Sequence, residues 1–412
     1  MFSQIPNLAC FALCLLSGIT QGQTYDGYST SALIPWTGGH KNFDVEPHVR
    51  IRIASLDGSW ISPHATGYWQ FTVDTGTCGI VTTEAKSGIT TAEKTPENRG
   101  WEYLSSSHVL YAGYWVERSI TFTESQVGGV TTPVLTKVKI LSVHTKYENC
   151  IEWNEDDEGE CRDPRSNELD AEELKTRGDE ISMLGIGYGR TYDGQPQGTP
   201  DKNPLLNLER IGTDDLSTGF HPGWRIDEEG IKLGLTNTVW GGMSSFERQL
   251  AHMPVPPPSS TGINPHYPWP EVRGCVSFSP ITDVGCVSVA LLLDTGMDWS
   301  SIRVDDRSAR AVRISDDDHR LRNGQSATIL VGGLSIAPPL QQVLASFKYG
   351  PAIPPVDCDV TPQRTEVSYD STKRNFTNTG RHMFRRWAQG YDPWRGVIAF
   401  EKHRLISTRC AA

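Results

Sequence analysis

The chain lacks the signatures of several common function classes. It contains no Gly-x-Ser-x-Gly, no His-Glu-x-x-His and no Cys-x-x-Cys, so the motifs of serine hydrolases, zinc peptidases and thiolate zinc sites are absent. No basic stripe is present, which disfavours a nucleic-acid partner. No apolar run is long enough for a transmembrane helix, and we expect no membrane partner. The 11 histidines show no ligand-like spacing, so we expect no metal and no other cofactor.

The N-terminus carries a short apolar run from Leu8 to Leu16, followed by small and polar residues. This pattern predicts a secretory signal peptide over residues 1–22 and therefore a secreted protein. The run departs from the usual pattern because no Lys or Arg precedes it, and a buried N-terminal strand is the alternative. Asn375 begins an Asn-Phe-Thr glycosylation sequon, which is consistent with secretion.

Composition indicates strands rather than helices. Long segments with an apolar period of 3.6 are scarce, whereas 39 Gly and 26 Pro punctuate the chain throughout, which favours many short strands. The sequence therefore predicts a mainly β, or all-β, protein. A chain of 412 residues is longer than a domain with a single hydrophobic core usually is. We therefore expect two lobes, the first over residues 23–240 and the second over residues 241–412.

Removal of Cys10 and Cys14 with the signal peptide leaves seven of the nine cysteines. The candidate disulfides are Cys150 with Cys161, Cys275 with Cys286, and Cys358 with Cys410. Cys78 is then left over, either as a buried free thiol or through an exchange of partners with one of these pairs. Sequence alone leaves the connectivity open.

Acidity is concentrated in one segment. The net charge is −11, and residues 148–180 hold 14 Asp or Glu against four Lys or Arg, a local balance of −10. The segment lacks the alternating ligand spacing and the placed Gly of an EF-hand calcium loop. We interpret it as a solvated surface insertion closed by a disulfide.

The triplet Asp-Thr-Gly occurs twice, at Asp74 and at Asp294, each time after three apolar or β-branched residues. Each Gly permits a sharp turn just after its Asp. The two carboxyls are therefore expected at strand ends, where a rigid scaffold presents functional side chains. The alternative is that the two triplets mark unrelated strand-to-turn boundaries with no shared function, because Asp and Gly are ordinary turn residues.

The flanks of the two triplets resemble those of the pepsin-like aspartic proteases. Met183-Leu184-Gly185 matches the apolar-apolar-Gly segment that threads beneath the first triplet in that family. Gly380, Phe384-Arg385, Tyr391-Asp392 and Ile398-Ala399-Phe400 follow the second triplet in the family's order. The resemblance covers residues 45 to 405 and implies a bilobal fold of two β-barrel-like lobes with a cleft between them.

The resemblance implies that Asp74 and Asp294 form a catalytic dyad. Two adjacent carboxyls share one proton, so one acts as base towards a water and the other as acid. Supporting roles would fall to Thr75, Gly76, Thr77, Thr295 and Gly296. Thr75 and Thr295 would join the two loops by hydrogen bonds across the lobe interface, and the Thr77 hydroxyl would steady Asp74.

Three departures from the family pattern bear on activity. Met297 stands where a hydroxyl residue would support Asp294, and a thioether has no proton to donate. The hairpin that closes the cleft has no Gly-rich tip. Its tyrosine is Tyr103 or Tyr111, and the alternative is that both are ordinary strand residues. Asn378-Thr379 replaces two apolar residues before Gly380. If buried, these polar groups need hydrogen-bond partners, and we expect them to supply some hydrogen bonds to the second loop.

Two functions follow from the resemblance. The first is a secreted aspartic endopeptidase, a monomer that takes polypeptide substrates in the cleft between the lobes. The second keeps the fold and loses catalysis, which leaves a binding or inhibitor protein. Retention of both Asp residues favours the enzyme, whereas Met297 and the atypical hairpin favour the binding protein. A thiol enzyme built on Cys78 is disfavoured, because no His or Asn is placed to activate it.

Overall fold

A computed structural model describes residues 24–39, 43–55, 57–61, 67–177, 181–188, 190, 195–216, 219–241, 247–249, 272–279, 286–305, 321, 325–331, 342–348, 362 and 364–402. The predicted signal peptide and the cysteines at 358 and 410 lie outside these ranges. No helix within these ranges is both long and apolar enough to cross a membrane.

The described residues form 26 strands, three short α-helices and six short 3₁₀ helices. The first thirteen strands are β1 (Ala32–Pro35), β2 (His48–Ala54), β3 (Trp60–Ile61), β4 (Trp69–Asp74), β5 (Cys78–Thr83), β6 (Arg99–Leu104), β7 (Val109–Phe122), β8 (Gln126–Val127), β9 (Val130–Thr131), β10 (Val134–Glu148), β11 (Asn167–Asp170), β12 (Ser182–Ile186) and β13 (Leu208–Ile211). The others are β14 (Asp214–Asp215), β15 (Trp224–Asp227), β16 (Gly230–Leu233), β17 (Glu247–Gln249), β18 (Val272–Ser279), β19 (Cys286–Leu292), β20 (Ser300–Val304), β21 (Ser326–Val331), β22 (Gln342–Lys348), β23 (Thr365–Tyr369), β24 (Phe376–Asn378), β25 (Trp387–Asp392) and β26 (Val397–Lys402). The helices are α1 (Glu84–Ser87), α2 (Ala171–Arg177) and α3 (Asn237–Trp240).

Three sheets divide these strands between the two halves of the chain. An eleven-stranded sheet has the order β14-β13-β10-β5-β12-β4-β2-β7-β6, with β11 on β10 and β3 on β2, and it lies inside the predicted first lobe. A seven-stranded sheet, β22-β21-β18-β19-β24-β20-β23, lies inside the predicted second lobe. An eight-stranded sheet, β17-β26-β25-β15-β16-β1-β8-β9, takes strands from both halves and joins them.

The same strand arrangement occurs once in each lobe sheet. In the first, β12 lies between β4 and β5, parallel to β4 and antiparallel to β5. In the second, β24 lies between β19 and β20, parallel to β19 and antiparallel to β20. In both cases the Asp-Thr-Gly triplet occupies the turn between the two outer strands. The internal repeat predicted from the triplets is therefore a repeat of chain topology.

Apolar side chains of both lobes join in one core, because alternate residues of the strands point inward. It includes Val73, Leu184 and Ile186 of the first lobe and Leu291 and Leu293 of the second. The turns that carry Asp74 and Asp294 thus rest on buried strands from both lobes. The mainly β, two-lobed fold class predicted from the sequence is confirmed.

Candidate active site at the junction of two repeated turns

Two threonines tie the turns together across the lobe interface. The Thr75 amide donates to Thr295 Oγ1 at 3.1 Å, and the Thr295 amide donates to Thr75 Oγ1 at 3.0 Å. Each hydroxyl donates a hydrogen bond to a carbonyl oxygen of the opposite lobe, Thr75 to that of Leu293 and Thr295 to that of Val73 at 2.7 Å. This reciprocal set holds the two triplets in one relative position.

The two carboxyls face each other between these turns. Asp74 and Asp294 are each 7 % exposed, and their carboxyl groups lie close enough to interact with one another. A Cβ built on Gly76 would lie 2.6 Å from Asp294 Cγ, and one built on Gly296 would lie 2.7 Å from Asp74 Cγ. Each triplet therefore needs its glycine because the carboxyl of the other triplet occupies the space a side chain would take.

The surroundings favour a proton on Asp74. Burial raises the pKa of Asp74 well above its usual range, and the charge of Asp294 raises the pKa further. The backbone N–H of Gly76, which donates to Asp74 Oδ1 at 2.6 Å, opposes these effects. A carboxyl so placed stays neutral in a pH range in which an exposed carboxyl is charged.

Asp294 accepts hydrogen bonds from two donors. The Gly296 amide donates to Oδ1 at 2.7 Å, and Asn378 Nδ2 donates to Oδ2 at 2.6 Å. Asn378 ends β24, which the fold places directly beside β19. It supplies the donor that Met297 lacks. The sequence predicts this supply of hydrogen bonds from the polar Asn-Thr pair, and the bond from Asn378 confirms it.

The expected support from Thr77 is not formed. Thr77 Oγ1 is buried, and no hydrogen-bond partner for it exists among the described residues. The sequence predicted a side-chain donor for Asp74 and none at the equivalent position for Asp294, and this prediction is wrong. The side-chain donor goes to Asp294, and it comes from β24 rather than from the residue after the triplet.

Strands β6 and β7 form the predicted hairpin above the carboxyls. Leu104, Ser105, Ser106 and Ser107 of its tip line a cavity of about 100 Å³ together with both aspartates. Ser106 Oγ accepts a hydrogen bond from Asn378 Nδ2 at 3.2 Å. The hairpin therefore covers the carboxyls with a leucine and three serines.

Neither tyrosine candidate reaches the carboxyls. Tyr103 lies on the face of β6 away from the carboxyls and is buried there. Its hydroxyl donates to the Cys150 carbonyl at 2.9 Å, and its ring stacks on Trp153 at 4.6 Å. Tyr111 packs against an apolar cluster that includes Val81 and Trp115. Alternation along β6 points Leu104 into the cavity and Tyr103 to the other face, so the assignment of a tyrosine to the hairpin tip is corrected.

Glu102, two residues before Leu104 on the same face of β6, is a third carboxyl that the sequence did not single out. It is buried, and neither of its oxygens has a hydrogen-bond partner in the described part of the chain. Burial raises the pKa of Glu102 to about 8, an effect that Arg190 opposes. Its charge would add to the factors that raise the pKa of Asp74.

The predicted disulfides Cys150–Cys161 and Cys275–Cys286 are confirmed. Cys78 is a buried free thiol, one of the two states expected, and burial raises its pKa to about 12. Its sulfur faces the Thr199 carbonyl at 3.5 Å.

Asn375 of the sequon is half-buried, and its Oδ1 accepts from the Asp305 amide at 2.7 Å.

Comparisons with known proteins found similarity only at the level of structure. No protein-family model matches the chain, and no curated protein matches its sequence. A solved structure, the aspartic proteinase from Irpex lacteus, is similar with a TM-score of 0.44 and 12 % sequence identity. The similarity covers 92 % of this chain and 99 % of that one.

Proposed function

We propose that this protein is a secreted aspartic endopeptidase that hydrolyses peptide bonds with a water activated between Asp74 and Asp294. The observation that carries the proposal is the contact between two buried carboxyls at the junction of two repeated turns. Like charges so close cannot both ionise, so the pair shares one proton and offers an acid and a base together.

The hydrogen bonds favour one assignment of the two proposed roles. Asp294 accepts from the Gly296 amide and from Asn378 Nδ2, whereas Asp74 accepts from the Gly76 amide and is the carboxyl whose pKa is raised. Donors stabilise the charged form of a carboxyl. Asp294 is therefore the carboxylate base, and Asp74 is the protonated acid.

The reaction follows from these roles. Asp294 takes a proton from the water as the water oxygen bonds to the peptide carbonyl carbon, and Asp74 gives its proton to the carbonyl oxygen. The tetrahedral product is uncharged. When its C–N bond breaks, the nitrogen takes the proton held by Asp294, and one hydroxyl returns its proton to Asp74. Both carboxyls end the cycle in their starting states.

Secretion and a polypeptide substrate belong to the same proposal. Two disulfides suit an oxidising compartment, as do the apolar N-terminal run and the sequon at Asn375. The substrate would lie under the β6–β7 hairpin as an extended chain, and the protein would act as a monomer without metal or nucleotide.

One observation favours the second candidate, a binding or inhibitor protein with this fold. The hairpin tip leaves a cavity of only about 100 Å³ above the carboxyls, and peptide cleavage needs room for several residues. The two candidates differ in one respect that is easily measured, namely whether the hairpin opens to admit a peptide that is then cleaved.

The test is cleavage of denatured haemoglobin and of oxidised insulin B chain between about pH 3 and 6, with and without pepstatin. The endopeptidase predicts cleavage that pepstatin and Asp74→Asn both abolish. Asp156→Asn, which changes an exposed carboxyl in the acidic segment, is the matched control and should cleave normally. A folded protein that cleaves neither substrate at any of these pH values would instead support the binding protein.

A further inference from the structure

The Asn378 amide connects the hairpin tip to one of the two carboxyls. Its Nδ2 donates to Asp294 Oδ2 at 2.6 Å and to Ser106 Oγ at 3.2 Å. Its Oδ1 accepts from the Gly380 amide at 2.9 Å. Because the Gly380 N–H can only donate and a carboxylate can only accept, these partners determine which amide atom is nitrogen.

This contact joins the hairpin tip to the end of β24. Ser106 lies in the turn between β6 and β7 and, with Leu104 and Ser107, roofs the cavity over the carboxyls. Ligand pockets commonly enclose ~300–1,000 Å³, whereas this cavity has about 100 Å³. A peptide can therefore reach Asp294 only after the tip has moved and the bond between Ser106 and Asn378 has opened.

Opening leaves one N–H of Asn378 in need of a new acceptor. Asn378 is fully buried under the closed hairpin. Water can accept from its N–H once the tip has moved, but a ligand that displaces this water must supply an acceptor itself, because an unsatisfied buried donor is costly. The other N–H stays on Asp294, and Oδ1 stays on Gly380, so the amide keeps its orientation. A peptide lying over Asp294 carries backbone carbonyl oxygens, the acceptors that such an N–H requires.

We propose that Ser106 and Asn378 form a latch that closes the free protein, and that a peptide backbone carbonyl replaces the Ser106 hydroxyl as acceptor of the second Asn378 N–H. The substrate half of this inference rests on the proposed function, whereas the latch itself does not. Asn378 is then both a positioning residue for Asp294 and a substrate-binding donor.

The latch is tested without any substrate. Hydrogen exchange of the hairpin amides over residues 100–110 is compared in the wild type, Ser106→Ala and Ser107→Ala. Loss of one neutral hydrogen bond should speed hairpin exchange by about three- to ten-fold in Ser106→Ala. Ser107 is exposed, and the Asn378 side chain donates to Ser106 rather than to Ser107, so Ser107→Ala should exchange like the wild type. Unchanged exchange in Ser106→Ala, or equal acceleration in both variants, overturns the latch.

Peptide binding is tested on the Asp74→Asn background, where cleavage plays no part. The probe is oxidised insulin B chain, and its dissociation constant is measured by calorimetry. Ser106→Ala should bind it about three- to ten-fold more tightly, because the competing acceptor is gone. Asn378→Leu, which keeps the side-chain volume and removes the donor, should bind it about three- to ten-fold more weakly. A dissociation constant that Asn378→Leu leaves unchanged overturns the role in substrate binding.

Steady-state kinetics then separate the two parts of the Asn378 role. In the Asp74-containing protein, Ser106→Ala should lower KM with kcat unchanged, whereas Asn378→Leu should raise KM and also lower kcat, because Asp294 loses a donor. A wild type that cleaves nothing contradicts the proposed function, and the exchange and binding results still decide the latch and the substrate contact. An Asn378→Leu enzyme with the kinetic constants of the wild type contradicts both parts.

Discussion

Gly76 lies so close to the Asp294 carboxyl that a Cβ on it would be 2.6 Å from Asp294 Cγ. The equivalent contact between Gly296 and Asp74 would measure 2.7 Å. Each glycine thus leaves room for the carboxyl presented by the opposite lobe, and the two turns fit only as a pair.

Gly76→Ala should therefore lower activity strongly while the lobes stay folded. The added methyl group displaces Asp294 from Asp74, and a shift of about 1 Å costs roughly 100-fold in rate. The measurement is kcat/KM for peptide cleavage, with far-UV circular dichroism to check the fold. Gly241→Ala is the matched control, since a Cβ there meets nothing within 4 Å. A Gly76→Ala protein with wild-type activity would contradict the packing of the dyad.

Glu102→Gln should stabilise the protein at neutral and mildly alkaline pH. Burial raises the pKa of Glu102 from 4.5 to about 8, so between these values the folded protein holds a proton that the unfolded chain releases. Stability from this group is complete below about pH 4.5 and is lost as the pH rises towards 8, by up to roughly 5 kcal/mol. Because glutamine does not titrate, the free energy of unfolding of the variant should fall less as the pH rises.

The measurement for Glu102→Gln is the free energy of unfolding between about pH 4 and 9. The variant should be more stable than the wild type at the alkaline end and should converge with it, or fall below it, at the acid end. Glu117→Gln changes an exposed glutamate paired with Lys137 and should leave the pH dependence unaltered. Parallel curves for Glu102→Gln and the wild type would show that Glu102 does not titrate in this window.

Breaking the Cys150–Cys161 disulfide should loosen the hairpin. The Cys150 carbonyl accepts from the Tyr103 hydroxyl, and the Cys150 amide donates to the His108 carbonyl at 2.8 Å, so the disulfide loop supports the outer face of β6 and β7. Cys150→Ser/Cys161→Ser should lose about 3 kcal/mol of stability and show faster hydrogen exchange over residues 100–110.

The second disulfide provides the control for that experiment. Cys275 and Cys286 are also separated by 11 residues, but they join β18 to β19 in the other lobe. Cys275→Ser/Cys286→Ser should lose a similar amount of stability without faster exchange in the hairpin. Equal hairpin exchange in the two double variants would mean that the acidic segment does not support the hairpin.

Cys78 should resist alkylation in the native protein. The thiolate is the reactive form, and burial raises the pKa of Cys78 to about 12. Iodoacetamide at about pH 8 followed by peptide mapping should leave Cys78 unmodified until the chain is unfolded. Rapid labelling of the folded protein would show that Cys78 is accessible and would reopen the thiol chemistry that the sequence disfavours.

The features of this protein that the sequence predicted are those that depend on residues close together along the chain. The doubled Asp-Thr-Gly placed two carboxyls at strand ends, because a strand followed by a sharp turn needs few residue types. The two matching lobes followed from the resemblance of the triplets and their flanks to a known family. The sequence also predicted the hairpin, but it did not predict which side chains of the hairpin face the two carboxyls. Glu102 and Tyr103 are both buried, so burial does not show which of the two alternating faces of β6 meets the carboxyls.

Side-chain hydrogen bonds were less predictable for a different reason. Thr77 follows its triplet directly, and proximity in sequence suggested a bond that the structure does not contain. Asn378 lies 84 residues from Asp294 and reaches it only because β24 pairs with β19. Contacts of that kind depend on strand register, which a single sequence does not reveal.

The most direct test of the central claim is the rate of insulin B chain cleavage by the wild type, Asp74→Asn and Asp294→Asn between about pH 3 and 7. If the two carboxyls share one proton and act together, the wild type cleaves with an optimum on the acid side. Each single variant then loses at least ~1,000-fold in kcat while unfolding at a similar temperature. Cleavage by either variant at the rate of the wild type would contradict the account.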